Sequence, residues 1–322
     1  AQFSKPLKNF GVWSADIPDD WTRKRQDIES DKYRERVAAA NILKGVKEMT
    51  GKHLGFYTGF SSTDNEQVLL KAGISFVSME GAKKNLMAEI RGWEFDKVHE
   101  STHRLWNTAL GKMKVEGRSE NDKTIFYTAL YHTMIDPRSV SDVDGAYPGG
   151  DGKIHRSGTF TRRTIFSGWD VFRSQMPLQT VINPVVVNDM INSLVELADE
   201  SGKHYLERWE ILNAYSGCMI GNPAIPVISD AYAKGIRSFN IPKAYEYAVN
   251  TAEKFGNGDK GFYSKGAGIS NTLEYAYAEW ALSRLSGWLG KREDEKKYAQ
   301  RGQSYRNIFD TSVGWFRPKN NA

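Results

Sequence analysis

The chain contains very little cysteine. Cys218 is the only one among 322 residues, which excludes an intrachain disulfide framework but leaves the compartment open, because exported proteins need not carry disulfides. Long apolar runs are missing too. No run approaches the ~18 residues that a helix needs to cross a bilayer, so we expect no membrane span. The excess of positive over negative charge is also small. The net charge is +5, and the densest basic cluster, residues 23–25, is followed at once by acids. That pattern is typical of a solvated face and argues against a nucleic-acid partner.

What the sequence does contain is the material of a globular protein. Hydrophobic residues make up 40% and charged residues 26% of the chain, enough for one large or two moderate domains. Short strand-like runs occupy residues 1 to about 80, among them residues 53–60 and 68–77, with a helix predicted over residues 31–49. Residues 81–117 are typical of connecting helices, and from residue 118 helix follows helix with short loops. The sequence therefore predicts an α+β chain.

The boundaries of several later helices are marked by capping residues. Ser119 and Asp122 approximate a capping box, while Asn183-Pro184 and Asn222-Pro223 each place a cap before a first-turn proline. A last helix is predicted over residues 298–309. The rhythm of paired antiparallel helices suits an (α/α) toroid or a solenoid, and periodicity does not choose between them.

One short motif in the connecting helices suggests a metal. His99-Glu-Ser-Thr-His103 fits H-E-x-x-H, which places two imidazoles on one helical face as a zinc protease requires. The alternative is a polar helix face. No third ligand follows at a zincin-like distance, since the next histidine is His132 within an apolar helical pattern. We assign no metal ligand here.

Two polar segments of the later chain allow two interpretations each. The loop at residues 142–151 is rich in acids and glycine but lacks the third acid and the final Glu of an EF-hand. Asp144 either belongs to a carboxylate rim of a sugar pocket or lies in an ordinary Asp-Gly turn. Trp209, flanked by acids and an arginine, either faces a substrate or ends a surface helix.

The most informative segment is Phe166-Ser-Gly-Trp-Asp-Val-Phe-Arg173. A second, related segment follows later in the chain, Gly217-Cys-Met-Ile-Gly-Asn222. Trp169 beside Asp170 supplies a flat apolar face next to a carboxylate. A sugar needs both, because its C–H face stacks on an indole while its hydroxyls donate to charged acceptors. The alternative is a core tryptophan with a capping aspartate at a helix start.

These segments resemble glycoside hydrolase family 92, the calcium-dependent exo-α-mannosidases. The resemblance also runs, in order and at family-like intervals, through Lys52-His-Leu-Gly-Phe-Tyr57, Lys71-Ala-Gly-Ile-Ser-Phe-Val-Ser78, Glu80-Gly-Ala82, Thr124-Ile-Phe-Tyr-Thr-Ala-Leu-Tyr-His132, Ser141-Asp-Val-Asp-Gly145, Ala231-Tyr-Ala-Lys-Gly-Ile-Arg237, Thr272-Leu-Glu-Tyr-Ala-Tyr277 and Gly314-Trp-Phe-Arg-Pro318. One departure is Asn222-Pro223, which stands where many members have an acidic or aromatic residue followed by His.

The resemblance implies a multidomain α+β fragment. Residues 1–80 would be the C-terminal part of an N-terminal β-sandwich, residues 81–117 a helical linker, and residues 118–322 the first half of an (α/α)6 catalytic barrel. The chain lacks an initiator Met and ends in a polar loop, so we expect it to be a piece of a longer protein. On its own we expect it to be inactive.

The resemblance also implies the chemistry. Family members hydrolyse terminal α-linked mannose with inversion, and α-1,2 linkages are the expected substrates. A Glu acts as acid, an Asp as base through water, and a calcium ion holds the sugar. The motifs for these roles are expected beyond residue 322, so no catalytic residue and no metal ligand is assigned here, and most calcium ligands are expected outside this chain.

The assignments within this chain concern the sugar. The expected substrate-binding residues are Trp169, Asp170, Trp209 and Asp144. The expected partner is a mannose-containing glycan, and the expected location is periplasmic or secreted. The alternative function is a non-catalytic carbohydrate-binding protein that has the same pocket.

Overall fold

A computed structural model describes residues 1–18, 31–117 and 119–319 of the chain. These residues divide into two compact units. The first comprises Ala1–Gly73 together with Ile90–Trp93, and the second comprises Ile74–Glu89 together with the chain from Glu94 onward. Strands and helices are both present, so the predicted α+β class is confirmed. The finer assignment of residues 1–80, 81–117 and 118–322 to a sandwich end, a linker and half a barrel stays a prediction.

The first unit is built on short antiparallel strands. Its described elements are β1 (Gln2–Phe3), β2 (Asn9–Ser14), α1 (Asp31–Ala38), β3 (Asn41–Lys44), β4 (Leu54–Gly59) and β5 (Leu70–Lys71). Strand β2 lies between β3 and β4, and β1 pairs with β5. Val12, in the middle of β2, is buried opposite Leu43 and Phe56. The strand predicted over residues 53–60 is confirmed as β4.

Two predictions in this unit are wrong in extent. The helix predicted over residues 31–49 ends at Ala38, and β3 follows it. Ile42 and Leu43 have apolar side chains that fit either element, and pairing with the backbone of β2 decides in favour of a strand. The strand predicted over residues 68–77 is reduced to the two residues of β5, which pair with the equally short β1.

The second unit is mainly helical. Its α-helices are α2 (Met79–Glu89), α3 (Phe95–Leu110), α4 (Glu120–His132), α5 (Gly168–Val171), α6 (Gln175–Ile182), α7 (Pro184–Glu200), α8 (Ala224–Ala233), α9 (Ile241–Phe255), α10 (Gly268–Trp288) and α11 (Arg292–Arg301). Its strands are β6 (Arg138–Ser139), β7 (Ala146–Pro148), β8 (Ile154–Arg156), β9 (Arg163–Thr164), β10 (Phe166–Ser167), β11 (Trp209–Ile211), β12 (Ala214–Tyr215), β13 (Phe309–Asp310) and β14 (Trp315–Phe316). The antiparallel strand pairs include the three-stranded sheet β10-β11-β12.

The core of this unit lies between α7, α8, α9 and α10. In α7 the buried Val187, Ile191 and Leu194 recur every three or four residues, as a helix with one apolar face requires. They pack in one cluster with Ile228 of α8 and Leu282 of α10. This core fixes the ends of the helices from which the candidate site is built.

The predicted cap at Ser119 is confirmed, since its Oγ accepts a hydrogen bond from the amide of Asp122 at 3.1 Å. Asn183 precedes α7 and Pro184 opens it, as predicted, but the Asn183 side chain does not cap the helix. It instead accepts a hydrogen bond from the ammonium of Lys112. The first-turn proline still favours a helix start at this position, because the N–H that proline lacks is one that the start of a helix leaves unpaired.

The helix predicted over residues 298–309 is wrong in its second half. Helix α11 ends at Arg301, a 3₁₀ turn covers Ser304–Ile308, and Phe309 enters strand β13. Gly302 stands at the break, where an added Cβ would lie 3.0 Å from the Cβ of Trp280. Helix α11 therefore ends at a glycine that packs closely against α10, where periodicity alone extends the helix.

Candidate functional site

The candidate site begins at the junction of β10 and α5. Phe166 is buried in the core, and the chain turns through Gly168 into the four residues of α5. A Cβ at Gly168 would lie 2.5 Å from both the carbonyl oxygen of Arg208 and the Cγ of Pro223. Only glycine allows three stretches of backbone to meet this closely. The turn thus brings Trp169 and Asp170 to the segments around residues 208 and 223.

Trp169 is half-buried and its indole is held on two sides. Its Nε1 donates a hydrogen bond to Oε1 of Glu274 at 3.1 Å. The guanidinium of Arg173 lies 4.7 Å from the ring centroid, a cation–π distance. The interpretation as a purely core tryptophan is not supported, because part of the indole remains accessible.

Asp170 lies in the first turn of α5 and is exposed. Its Oδ2 accepts a hydrogen bond from the hydroxyl of Ser167, the residue that precedes the helix. Among the described residues Asp170 forms no ion pair. Its carboxylate therefore keeps capacity to accept hydrogen bonds from a ligand's hydroxyls.

Trp209 lies beside this turn. It opens β11 and stands opposite Ser167 of β10 in the antiparallel register, and cross-strand partners have Cα atoms only ~5 Å apart. The interpretation as the end of a surface helix is wrong, since Trp209–Ile211 is a strand. The structure thus places the backbone of Trp209 beside the turn that carries Trp169 and Asp170.

The hairpin that carries Trp209 is anchored by buried polar groups. Leu212 and Asn213 form its two-residue turn with φ of 48° and 65°, as a type I′ hairpin requires. Glu210, 2% exposed, accepts hydrogen bonds from the Thr164 hydroxyl and the Asn213 amide, each at 2.8 Å. Burial raises the pKa of Glu210 above its ordinary value.

A buried arginine completes this support. Arg162, 1% exposed, donates to Oδ1 of Asn213 at 2.9 Å and to Oε2 of Glu200 at 3.3 Å. Buried charges of this kind are tolerated only when paired and hydrogen-bonded. The group fixes the Asn213 turn, and through it the strand on which Trp209 lies.

The segment at residues 217–222 closes the other side of the site. Arg208 donates hydrogen bonds to the carbonyl oxygens of Gly217 at 2.8 Å and Cys218 at 3.0 Å. Gly221, at φ +80°, approaches so closely that an added Cβ would lie 2.9 Å from the Cβ of Glu274. Glu274 therefore contacts both this segment and the segment Phe166–Arg173.

Asp144 lies in different surroundings. Its carboxylate forms ion pairs with Lys84 at 3.0 Å and Arg156 at 2.8 Å, and these cations hold its pKa well below the usual range. Its Oδ1 also accepts a hydrogen bond from the amide of Ala146, as an Asp-Gly turn requires. Among the described contacts none joins Asp144 to Trp169, Asp170 or Trp209, and its place in a sugar pocket stays a prediction.

The two histidines of the H-E-x-x-H motif lie on the exposed face of α3. His103 Nδ1 is 3.2 Å from the side-chain amide of Asn107. In residues 1–18, 31–117 and 119–319, no group of three or more His, Cys, Asp or Glu side chains is arranged to hold a metal ion.

A calcium ion takes six to eight oxygen ligands, and the acidic loop at residues 142–151 is the candidate for supplying them. Asp142 is buried and accepts hydrogen bonds from the Ser75 hydroxyl and the Asn85 amide, each at 2.8 Å, while Asp144 is already paired with two cations. These oxygens do not fit a calcium site. No described helix is long and apolar enough to cross a membrane.

The fold and site can now be compared with known proteins. The model of the glycosyl hydrolase family 92 catalytic domain matches residues 81–322. The chain belongs to glycosyl hydrolase family 92. This confirms the resemblance seen in the sequence, and it rests on three quarters of the chain, not on one motif.

Relatives of this family 92 chain include solved structures. A family GH92 alpha-mannosidase from Bacteroides thetaiotaomicron superposes with a TM-score of 0.83 at 26% identity, over 99% of this chain and 42% of that enzyme. A family GH92 inverting mannosidase from strain VPI-5482 of that species gives 0.82 at 24% identity, over 99% and 42%. An uncharacterized secreted glycosidase of Arthroderma benhamiae is 28% identical across 82% of this chain and 35% of its own length. This chain thus spans less than half of each of these relatives.

Glu274 was missed when the sequence was read. The segment Thr272-Leu-Glu-Tyr-Ala-Tyr277 contributed to the family resemblance, but nothing in it marked Glu274 as a partner of Trp169, which lies 105 residues earlier. Its position, in the second turn of α10, gave no local signal, since a glutamate there is an ordinary helix residue. Only the tertiary fold brings the two together.

Proposed function

We propose that the complete protein to which this family 92 chain belongs removes terminal α-linked mannose from glycans. The observation that carries the proposal is the turn that places the partly accessible Trp169 indole beside the Asp170 carboxylate, next to the strand of Trp209, with no cation paired to Asp170 among the described residues. The family assignment and two mannosidases among the structural relatives support it. Because this chain spans less than half of those relatives, the activity is proposed for the complete protein.

In this proposal each side chain has a distinct task. The accessible part of the Trp169 indole stacks against the C–H face of the terminal mannose. The Asp170 carboxylate accepts hydrogen bonds from its hydroxyls, which charge makes about twice as strong as neutral ones. Trp209, on the neighbouring strand, adds a second apolar surface. Asp144 is proposed for the rim of the pocket only as the weaker member, because two cations already occupy it.

We further propose inversion of the anomeric centre. In inverting glycosidases two carboxyl groups about 6.5–9.5 Å apart leave room for the attacking water between the base and the sugar. Neither role is assigned to a residue of this chain. The proposal also includes calcium dependence and a preference for α-1,2 linkages, both of which rest on the family resemblance.

The proposed location is periplasmic or secreted. It is supported by the relative from Arthroderma benhamiae, a secreted glycosidase by name. The proposed partner is a mannose-containing glycan, which such a location would supply.

The test uses the complete natural protein and an α-1,2-linked mannobiose in calcium-containing buffer. We expect free mannose, with the β-anomer appearing first in proton NMR spectra recorded before mutarotation. We also expect the rate to fall when a calcium chelator is added and to recover when calcium is restored. Binding of the disaccharide without any hydrolysis would identify a carbohydrate-binding protein instead. Absence of both binding and hydrolysis for all α-mannosides would contradict the proposal.

A further inference from the structure

We propose that Glu274 is a positioning residue that holds the Trp169 indole and the Arg173 guanidinium in one arrangement. In this arrangement one face of the indole is covered by Arg173, and the carboxylate of Asp170 is kept free of that cation. The positioning itself is independent of the proposed function. The consequence for sugar binding rests on the proposed function.

The geometry forms a closed triangle. Oε1 of Glu274 accepts a hydrogen bond from Nε1 of Trp169 at 3.1 Å and another from the guanidinium of Arg173. Nε of Arg173 donates in turn to the carbonyl oxygen of Trp169 at 3.1 Å, and its guanidinium lies 4.7 Å from the centroid of the indole. Each of the three groups therefore restrains the other two.

Of these three groups, the Glu274 carboxylate is the one that its surroundings hold most closely. Glu274 lies within α10, a helix of 21 residues, and Gly221 lies against its Cβ. The Glu274 side chain is only 16% exposed, whereas that of Arg173 is 44% exposed. The partly desolvated carboxylate thus directs the more mobile cation, because an ion pair shielded from water is stronger than an exposed one.

This arrangement has a consequence for the two faces of the indole. A ring offers two faces for stacking, and the guanidinium of Arg173 lies over one of them. A sugar can stack only on the other. Glu274 therefore determines, through Arg173, from which side a ligand approaches Trp169.

A second consequence concerns Asp170. Arg173 follows it by three residues, a spacing at which opposite charges in a helical turn pair readily. In the structure Arg173 instead pairs with Glu274, and Asp170 accepts a hydrogen bond from the neutral hydroxyl of Ser167. Removing the oxygen acceptors at position 274 would release Arg173 toward Asp170 and cover the carboxylate that a sugar hydroxyl needs.

The test measures the environment of the Trp169 indole by fluorine NMR. The complete protein is labelled with 5-fluorotryptophan, and the fluorine resonance of Trp169 is assigned by its absence in Trp169→Phe. Glu274→Leu is expected to shift or broaden that resonance and leave the other tryptophan resonances in place. Glu274→Gln keeps an oxygen acceptor and is expected to retain the parental position more closely. An unchanged Trp169 resonance in Glu274→Leu would overturn the proposal.

If Glu274→Leu does not fold, the same measurement is made on Arg173→Met. It removes the cation above the indole without touching α10, and it is expected to move the Trp169 resonance as well. An unmoved resonance in this variant would likewise overturn the proposal.

Titration with methyl α-mannoside separates the positioning from the sugar. In the parent the Trp169 resonance is expected to respond to the sugar, and in Glu274→Leu the apparent Kd is expected to rise at least about tenfold. Adding Arg173→Met to Glu274→Leu should restore part of the affinity, because the cation can no longer cover Asp170. An equal Kd in parent and Glu274→Leu would contradict the proposed consequence. If the Trp169 resonance depends on Glu274 but never on sugar, the positioning stands and the proposed function fails.

Discussion

Two regions of this chain carry carboxylates that the sequence marks as candidates for sugar binding, and the structure surrounds them differently. Asp144 is bracketed by the cations of Lys84 and Arg156. Asp170 accepts a hydrogen bond from the Ser167 hydroxyl, while the cation of Arg173 pairs with Glu274. Among the residues that the structure describes, only Asp170 has no cation partner.

The difference shows that a carboxylate's suitability for binding a sugar depends on whether a cation already pairs with it. A carboxylate already paired with two cations has fewer acceptor sites left for a hydroxyl, so one more hydrogen bond adds less to its stabilisation. A carboxylate whose neighbouring cation pairs with another acid keeps its oxygens free to accept a hydrogen bond from a hydroxyl. The pairing pattern, which is non-local, therefore separates a binding carboxylate from an ordinary turn.

The largest expected effect is at Asp170. In the complete protein, Asp170→Ala removes charge-assisted hydrogen bonds worth ~1.5–3 kcal/mol each, so kcat/KM for an α-mannoside should fall on the order of 10²-fold. The melting temperature should change little, because the side chain is exposed. Steady-state kinetics and thermal melts of the same preparations check both points.

Asp144→Ala is the matched control for that comparison. It removes an equally charged side chain from the same unit, and kcat/KM should stay within about threefold of the parent because its exposed ion pairs contribute little. If both variants lose activity to the same degree, the contrast between the two regions is wrong.

The next effect separates stacking from hydrogen bonding. Trp169→Ala should lower kcat/KM by at least about tenfold and also lower the melting temperature, since the half-buried indole packs and donates to Glu274. Trp169→Phe keeps a ring but lacks the donor, and it should lose less of both. A Trp169→Ala protein with parental activity would remove the indole from the binding site.

A smaller effect concerns the buried acid Glu279 in α10. It is 0% exposed, and burial raises its pKa from 4.5 to about 7, opposed by the charge of Arg301. The folded state therefore holds a proton that the unfolded chain has lost. Stability due to this group is full below pH 4.5 and falls as the pH rises toward 7 and above, by on the order of 3 kcal/mol.

Glu279→Gln removes this pH dependence. Relative to the parent, its melting temperature should rise by a few degrees between pH 5 and pH 8. Melts at several pH values measure the difference. A constant offset at all pH values would show that Glu279 does not titrate in this window.

The smallest expected effect is at the H-E-x-x-H motif. His103→Ala should change neither the zinc content of a chelator-washed preparation nor its activity, because two helix ligands without a third do not make a catalytic zinc site. One tightly held zinc per chain that disappears in this variant would reverse that interpretation.

Much of the fold follows from local chemistry, and the site follows only in part. The periodicity of Val187, Ile191 and Leu194 predicts α7, and Ser119 predicts the start of α4. The strand β3 does not follow from local pattern, because pairing with β2 decides it. The break after Arg301 falls at Gly302, whose close packing against Trp280 the local pattern does not reveal. Tertiary context overrides propensity at such places.

For the site, Trp169 and Asp170 could be predicted because they are adjacent in the sequence and chemically distinctive. The pairing of Ser167 with Trp209 and the contact of Glu274 with Trp169 join residues far apart in the chain. No spacing rule predicts them. The same limit applies to Asp144, whose cation partner Lys84 lies 60 residues away.

The most direct test of the central claim is a crystal structure of the complete protein with a non-hydrolysable mannose analogue. We expect the sugar ring to lie on the indole face of Trp169 opposite Arg173, with at least one hydroxyl within about 3.2 Å of a carboxylate oxygen of Asp170. The ion pairs of Asp144 should remain unchanged. A sugar bound with no contact to Trp169 or Asp170 would contradict the account.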